Sequence, residues 1–318
     1  MDLQYYHCFL VLAKELNFTK AAEKLYLTQQ CLSHRIKSME EFYGTPLFDR
    51  KPQLQLTYAG KQLMQAALSI NSIEMNLQAE FSYIVDQDKG EIRIGIPRSR
   101  SHAFIPYILP IFKKKYPNIS FILKEEHSAI LEQYLLSNEI DVMIGISMGE
   151  NPTADRRFKT IVMMDEPVYL VISDILLQRF FPDVFPECKK EFQKGIHLLD
   201  FKNAPYMLKP QSSRVQEVIC NYYEEHFIKP NILIESNNCV PLFPLCLEGH
   251  VGFFIPQMPL SVLIKNKFYF NETINAFPVL DCFPNNKVIL RYSRDKFLAK
   301  YLRDFILFSK DIFTKYTI

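Results

Sequence analysis

The chain lacks the short runs with which many enzymes hold phosphate, metal or acyl groups: there is no GxGxxG, no Walker A sequence, no HExxH and no GxSxG. Its cysteines and histidines do not fall at metal-ligand spacings, and the histidines at 7, 127, 197, 226 and 250 are scattered. No cofactor and no metal are expected, and a catalytic role is disfavoured. Seven cysteines, an odd number with no CxxC pair, suit a reducing cytoplasm better than a disulfide framework. A basic segment followed by an apolar core is missing from the start, so no secretory signal is expected. The longest suspicious uncharged run, 251–264, has fourteen residues and is broken by Pro256 and Pro259. A membrane span needs about 20 apolar residues, so no membrane contact is expected. An excess of one charge is also missing. The whole chain carries +2, and residues 1–61 hold eight Lys or Arg against six Asp or Glu. Bulk charge therefore gives DNA binding no support, and any such reading must rest on where the charges sit.

What is present is a soluble globular composition, 48% apolar and 23% charged, in a chain of 318 residues that exceeds one ordinary domain. From 29 to 43 the apolar residues Leu32, Ile36, Met39 and Tyr43 step by four, three and four and form one helical stripe. Gln30, His34 and Lys37 point roughly the opposite way, with Gln29 and Ser33 on the flank. Thr28 can cap this helix, and Gly44 followed by Pro46 can stop it. A short helix at 20–26 precedes it, with Ala21, Ala22 and Leu25 inward, and small alanines allow two helices to cross closely. Between Thr28 and Lys37 there is no acid. The pair makes a helix-turn-helix whose outer face offers amide, hydroxyl, imidazole and ammonium groups, the chemistry that reads base edges and phosphates. An ordinary helical pair with a solvated face would look similar in isolation. Around Lys51-Pro52-Gln53, however, Leu47-Phe48-Asp49-Arg50 and Leu54-Gln55-Leu56-Thr57 suggest a two-stranded wing.

With the wing in place the stretch resembles the N-terminal winged helix-turn-helix of LysR-type transcriptional regulators. The matching residues are Phe9, Phe18-Thr19, Ala21-Ala22, Leu25, Thr28-Gln29, Leu32-Ser33, Ile36-Lys37, Glu40, Gly44, Leu47-Phe48, Arg50, Leu56-Thr57 and Gly60. Gln30 stands where that family usually has proline, and Leu16-Asn17 replaces its usual small pair. The DNA-contacting set expected here is Thr28, Gln29, Gln30, Ser33, His34, Lys37 and Arg50.

Residues 58–85 predict one long helix, with no Gly or Pro beyond Gly60. Leu63, Ile70, Leu77 and Ile84 recur every seven residues, with Ala66 and Ile73 three later, an a/d pattern interrupted at Glu80. About 27 residues at 1.5 Å each extend near 40 Å, which favours an intermolecular seam over packing on its own domain. The family resemblance also implies a dimerising linker helix here. The expected division is 1–60 for the winged helix-turn-helix, 61–89 for the linker helix and 90–318 for an effector-binding domain.

After the polar break at 86–90 the period changes. Strands are expected at 92–97, 119–124, 141–146, 168–173, 205–208, 232–235, 251–255 and 287–292, and helices at 104–115, 130–136, 215–227 and 296–314. Alternating strand and helix argue for parallel sheets covered on both faces. The fold class expected is thus α+β multidomain: winged head, linker helix, then two α/β lobes similar to periplasmic binding proteins. Lobe 1 is placed at about 90–163 and 265–318 and lobe 2 at about 164–264, crossing near Val162-Met163-Met164 and Ile264-Lys265. That layout resembles the effector-binding half of the same family, on anchors such as Ile92-x-Ile94-Gly95, Tyr116-Pro117, Asp141 and Gly252.

In such sheets, ligands sit beyond strand carboxyl ends, where helix N-termini offer free N–H groups. The candidates are Arg98, Ser99, Arg100, Ser101 and His102, then Ser128, Ser147, Ser212, Ser213, Arg214 and Asn237. No acid occurs from Ile92 to Lys124, which suggests a small anionic effector. Plain helix caps would use the same residue types. The remaining partners expected are double-stranded DNA with a pseudo-palindromic operator and further copies of the chain, as dimer or tetramer. The alternative is a cysteine-based redox regulator of the same family. Cys220 has no partner thiol in 211–219, and Cys239 and Cys246 are seven residues apart, roughly 10 Å along a helix, beyond disulfide reach.

Overall fold

The computed structural model describes residues 2–87, 89–147, 152–208, 213–236, 239–265, 272–283 and 286–313. Three helices, α1 (Leu3–Glu15), α2 (Phe18–Lys24) and α3 (Gln29–Tyr43), form the head. Asn17 starts α2 by accepting from the Lys20 amide at 3.1 Å, so the departure at Leu16-Asn17 is a helix cap. Thr28 Oγ1 accepts from the Cys31 amide at 3.2 Å, and Gly44 closes α3 at φ 67°, where a side chain would be strained. Phe9, Leu12, Ala21, Ala22, Leu32, Ile36 and Met39 are buried together, and the two alanines let α2 approach α3. The wing pairs β1 (Phe48–Asp49) with β2 (Gln55–Leu56), antiparallel. Glu40 fixes it, accepting from the amides of Leu47 at 2.9 Å and Phe48 at 3.3 Å.

The linker helix α4 covers Tyr58–Val85. Its first turns belong to the head, where Leu63 and Ala67 are buried with α1. Further along, Asn76 donates to the Asp295 carbonyl at 2.8 Å, and Tyr83 packs on Phe297 and Tyr301. The heptad pattern is thus shared: Leu63 is used within the chain, while Ile73, Leu77 and Ile84 stay exposed, at 69%, 48% and 65%.

Lobe 1 contains β3 (Gly90–Gly95), α5 (Arg98–Lys115), β4 (Ile119–Lys124), α6 (Ser128–Leu136), β5 (Val142–Ser147) and β6 (Phe158–Asp165). Lobe 2 follows with β7 (Val168–Ser173), α7 (Asp174–Phe180), α8 (Cys188–Phe192), β8 (Tyr206–Leu208), α9 (Arg214–Glu225), β9 (Ile232–Glu235), α10 (Phe243–Leu247), β10 (Gly252–Pro256), α11 (Gln257–Lys265) and β11 (Ile274–Pro278). The chain returns with β12 (Lys287–Ser293) and α12 (Lys300–Phe313). Sheet orders are β4-β3-β5-β12-β6 and β11-β7-β10-β8-β9.

Several expectations are corrected. The sheets are mixed, because β12 runs antiparallel to both β5 and β6, and β7 antiparallel to β10 and β11. Val162, Met163 and Met164 lie inside β6, so the first crossing falls at Glu166-Pro167. The return crossing does not lie near Ile264-Lys265, because β11 pairs with β7 in lobe 2; it falls after Val279 and before β12. The two crossings are tied together: Glu166 N donates to the Asn286 carbonyl, and Asn286 Nδ2 to the Glu166 carbonyl, each at 2.8 Å. Residues 98–102, expected as loop, are the opening turns of α5.

Candidate functional site

In the head, Gln29, Gln30, His34 and Lys37 are exposed on the outer face of α3, with Ser33 half-buried beside them. Thr28 is committed to the cap, and Gln29 is joined to α2 by a hydrogen bond from Thr19 at 3.4 Å. Lys37 lies 3.6 Å from Glu41 one turn on, an exposed pair that competes little with a phosphate. Arg50 projects from the wing, 3.5 Å from Glu40 and over the Phe18 ring, so its guanidinium is aimed and still exposed. Arg35 sits on the same helix but turns inward, donating to Cys8 Sγ at 3.2 Å. The outer face is therefore polar, rich in donors and free of acid through Lys37.

Between the lobes lies a cavity of about 910 Å³, the size of a small-molecule site. Arg98, Ser99, Arg100, His102, Ser128, Ser147 and Ser213 line it. Ser101 does not. It is buried on the inner stripe of α5 with Phe104, Ile105, Ile108 and Phe112, because helical rotation brings every third or fourth residue to one face. Ser212 and Asn237 lie outside the described residues, as does the side chain of Arg214. Arg100 is buried and paired with the fully buried Glu166 at the first crossing, whose Oε1 also accepts from the Met258 amide at 3.4 Å. Its charge is spent on fastening the lobes, while its Nε has no hydrogen-bond partner among the described residues.

The cavity also holds residues that sequence reasoning missed. Glu125 and Glu126 follow directly on the acid-free span and reach the mouth, where Glu125 lies 3.4 Å from Arg98. Arg291, from β12, lines the wall and pairs with Glu132. The acid-free span from Ile92 to Lys124 therefore does not make the mouth electropositive: Arg98, Arg100 and Arg291 each face a carboxylate. What favours an anion is backbone. The cap positions Pro97, His127 and Ser213, at the starts of α5, α6 and α9, make no side-chain cap among the described residues, and all three line the cavity. Uncapped first-turn N–H groups and the helix dipole attract negative charge; α5 and α6 have no acid in their first turns, whereas α9 carries Glu217 there, itself part of the lining. Met207, Phe253, Pro259 and Val262 add apolar lining to the same cavity. Alternating apolar strand residues give no sign of which of them will face a cavity.

Burial pushes the thiols of Cys246 and Cys282 up to about 12, and raises those of Cys220 and Cys188. Such thiols remain protonated and react poorly, so the redox alternative is not favoured. Among the described residues no group of three metal-binding side chains occurs, and no helix is long and apolar enough to cross a membrane.

A helix-turn-helix head joined by one long helix to a two-lobed receiver with a central cavity defines a transcription regulator with DNA-binding and effector-binding domains. The model of the bacterial regulatory helix-turn-helix protein, lysR family, matches residues 3–61, and that of the LysR substrate binding domain matches 86–313. The HTH-type transcriptional regulator YkuM of Bacillus subtilis is 31% identical over 283 residues, 88% of this chain and 86% of its own length. The HTH-type transcriptional activator CmpR of Synechocystis is 27% identical over 278 residues, 82% of this chain and 84% of its own length. Among solved structures, a full-length OxyR variant from Pseudomonas aeruginosa aligns over 98% of this chain and 94% of its own, with TM-score 0.63 and 18% identity. CbnR complexed with its target DNA aligns over 98% and 99%, with TM-score 0.56 and 16% identity. The chain belongs to the LysR family of bacterial transcriptional regulators.

Proposed function

We propose that this regulator acts in the cytoplasm, without catalysis of its own, as a homo-oligomer on pseudo-palindromic DNA, and that its effector is a small organic anion. The observation that carries the effector class is the convergence on one cavity, with an apolar wall, of three helix starts that have no side-chain cap among the described residues. A carboxylate would accept from the first-turn N–H groups, with Ser99, Ser128, Ser213 and Arg98 as further donors. An apolar body would lie against Phe253, Pro259 and Val262. Effector binding would bias the packing of the lobes, and α4 would carry the change to the spacing of the recognition helices. Thermal shifts with carboxylates, phosphates, neutral amides and amines test this. A hydrogen bond to a charged group contributes about 1.5–3 kcal/mol, so Arg98→Ala or Ser128→Ala should weaken a stabilising carboxylate roughly ten- to a hundredfold. Stabilisation by amines alone, equal in all variants, rejects the class.

On DNA, Gln29, Gln30, Ser33 and His34 are assigned to base edges and Lys37 and Arg50 to phosphates. His34→Ala should relax sequence preference by about 1–3 kcal/mol, and Lys37→Ala should weaken all sequences alike. Gel shifts on selected and scrambled duplexes separate the two, and equal losses for both variants on both duplexes reject the assignment.

A further inference from the structure

The nine residues of α6 run from the cavity to the DNA-binding half. At the start, His127, Ser128, Ala129 and Glu132 line the cavity. About 13 Å further on, at 1.5 Å per residue, the helix ends at Ser137, and Asn138 takes a left-handed conformation at φ 56° while 1% exposed. Its Nδ2 donates to Ser72 Oγ at 2.7 Å and to the Ser72 carbonyl at 3.3 Å, both on α4. Its Oδ1 accepts from Lys296 Nζ at 3.3 Å, and Lys296, itself buried, pairs with Asp141 at 2.7 Å. The next residue, Glu139, lies 3.0 Å from Lys14 on α1 and 2.7 Å from Lys124. Two consecutive residues at the end of one helix thus hold the linker and the head.

The packing beneath α6 suits movement as a unit. Leu131 and Leu135 belong to a small cluster with Ile140, Met143 and Phe158, separate from the large lobe 1 core. Gly95 forms part of the floor: a Cβ there would stand 2.9 Å from Leu131 Cδ2 and 2.4 Å from Ile140 Cδ1. A helix on its own small core can shift along its axis while the main core keeps its contacts, because packed elements move between discrete arrangements rather than deform.

We infer that α6 is the rod that couples the cavity to the DNA-binding half, with Asn138 and Ser72 as its positioning residues. A ligand drawing on the first turn displaces the far end, and Asn138 passes that displacement to Ser72 and so to α4. Lys14–Glu139 is the parallel, more exposed grip. The inference takes the cavity as the ligand site, but its test uses DNA as the probe, so its outcome does not depend on finding an effector. Coupling between two binding sites is reciprocal, so a duplex bound at the head must alter the rod. Amide hydrogen exchange is measured on the full-length protein, with and without a duplex obtained by binding-site selection on the same protein. In the wild type, DNA should change exchange across residues 128–136. Asn138→Gly keeps the left-handed turn and removes the amide; with only the Lys14–Glu139 grip left, it should diminish that change and leave exchange in β3 and β5 unaltered. Ser72→Ala, a change made on α4 and outside lobe 1, removes the shorter of the two Asn138–Ser72 hydrogen bonds; it should diminish the response too and decides the matter if Asn138→Gly loosens β3 and β5. An α6 that ignores DNA in the wild type, or a response of wild-type size in both Asn138→Gly and Ser72→Ala, overturns the inference.

Discussion

Arg100 and Arg98 are two residues apart on α5 and perform different work. Arg98 is exposed at the mouth beside Glu125, whereas Arg100 is buried against Glu166 where the chain first crosses between lobes. Removing one member of a buried pair strands the other charge, at a cost of about 3–5 kcal/mol. Arg100→Ala should therefore lower the denaturation midpoint sharply, and Arg98→Ala should leave it nearly unchanged. Equal midpoints for the two variants would contradict the hinge role. A second residue, Asp141, makes stability depend on pH. Burial opposes its ionisation, but the hydrogen bonds of Arg93 and the charges of Lys296 and Arg93 outweigh it, and its carboxyl is held below the ordinary value. A depressed carboxyl stabilises the fold above its unfolded value, about 3.9, and loses that contribution as pH falls toward the folded value. The stability gap between wild type and Asp141→Asn should accordingly be constant near neutrality and narrow below about pH 4; a gap that ignores pH would contradict the assignment. None of this division of labour is visible in Arg98-Ser99-Arg100-Ser101-His102. Without an apolar residue the run reads as loop, and which arginine turns inward depends on Glu166, a residue remote in the chain.

Elements are more legible than sites. Residues 29–43, and 58 to about 85, are legible as helices because local chemistry sets their ends: Thr28 and Gly44 for the first, Thr57 and the polar run after Val85 for the second. The strand Phe158–Asp165 reads as a crossing, and Ile274–Pro278 gives no strand signal of its own. Their partners, β12 and β7, are remote in sequence, and nothing local distinguishes an edge strand from a connection. For α4 the heptad predicts the right helix and half of its company. Leu63 serves the head, while Ile73, Leu77 and Ile84, with Phe81 and Val85 beside them, form an exposed apolar strip suited to a second copy. Leu77→Asp should place a charge in that strip and lower the sedimenting mass, with the circular dichroism of the effector half retained. Leu63→Asp should instead unfold the head, since Leu63 is buried in it. An unchanged mass for Leu77→Asp would leave the strip without a role in assembly.

At the scale of the molecule, the lobes are unequal in how the chain completes them. The described strands of the lobe 2 sheet all lie between Val168 and Pro278. Lobe 1 takes its fourth strand, β12, from much later in the chain and sets it between β5 and β6, which are joined in the sheet through it. During synthesis, then, the head, the linker and all of lobe 2 can leave the ribosome while lobe 1 is still an unfinished sheet, with the inner edge of β5 unpaired. A chain cut short just before β12 would keep the β4-β3-β5 pairing but leave β6 with no partner in that sheet. Long-range pairing of this kind is slow to form, and the lobe 1 sheet cannot be completed until β12 has arrived.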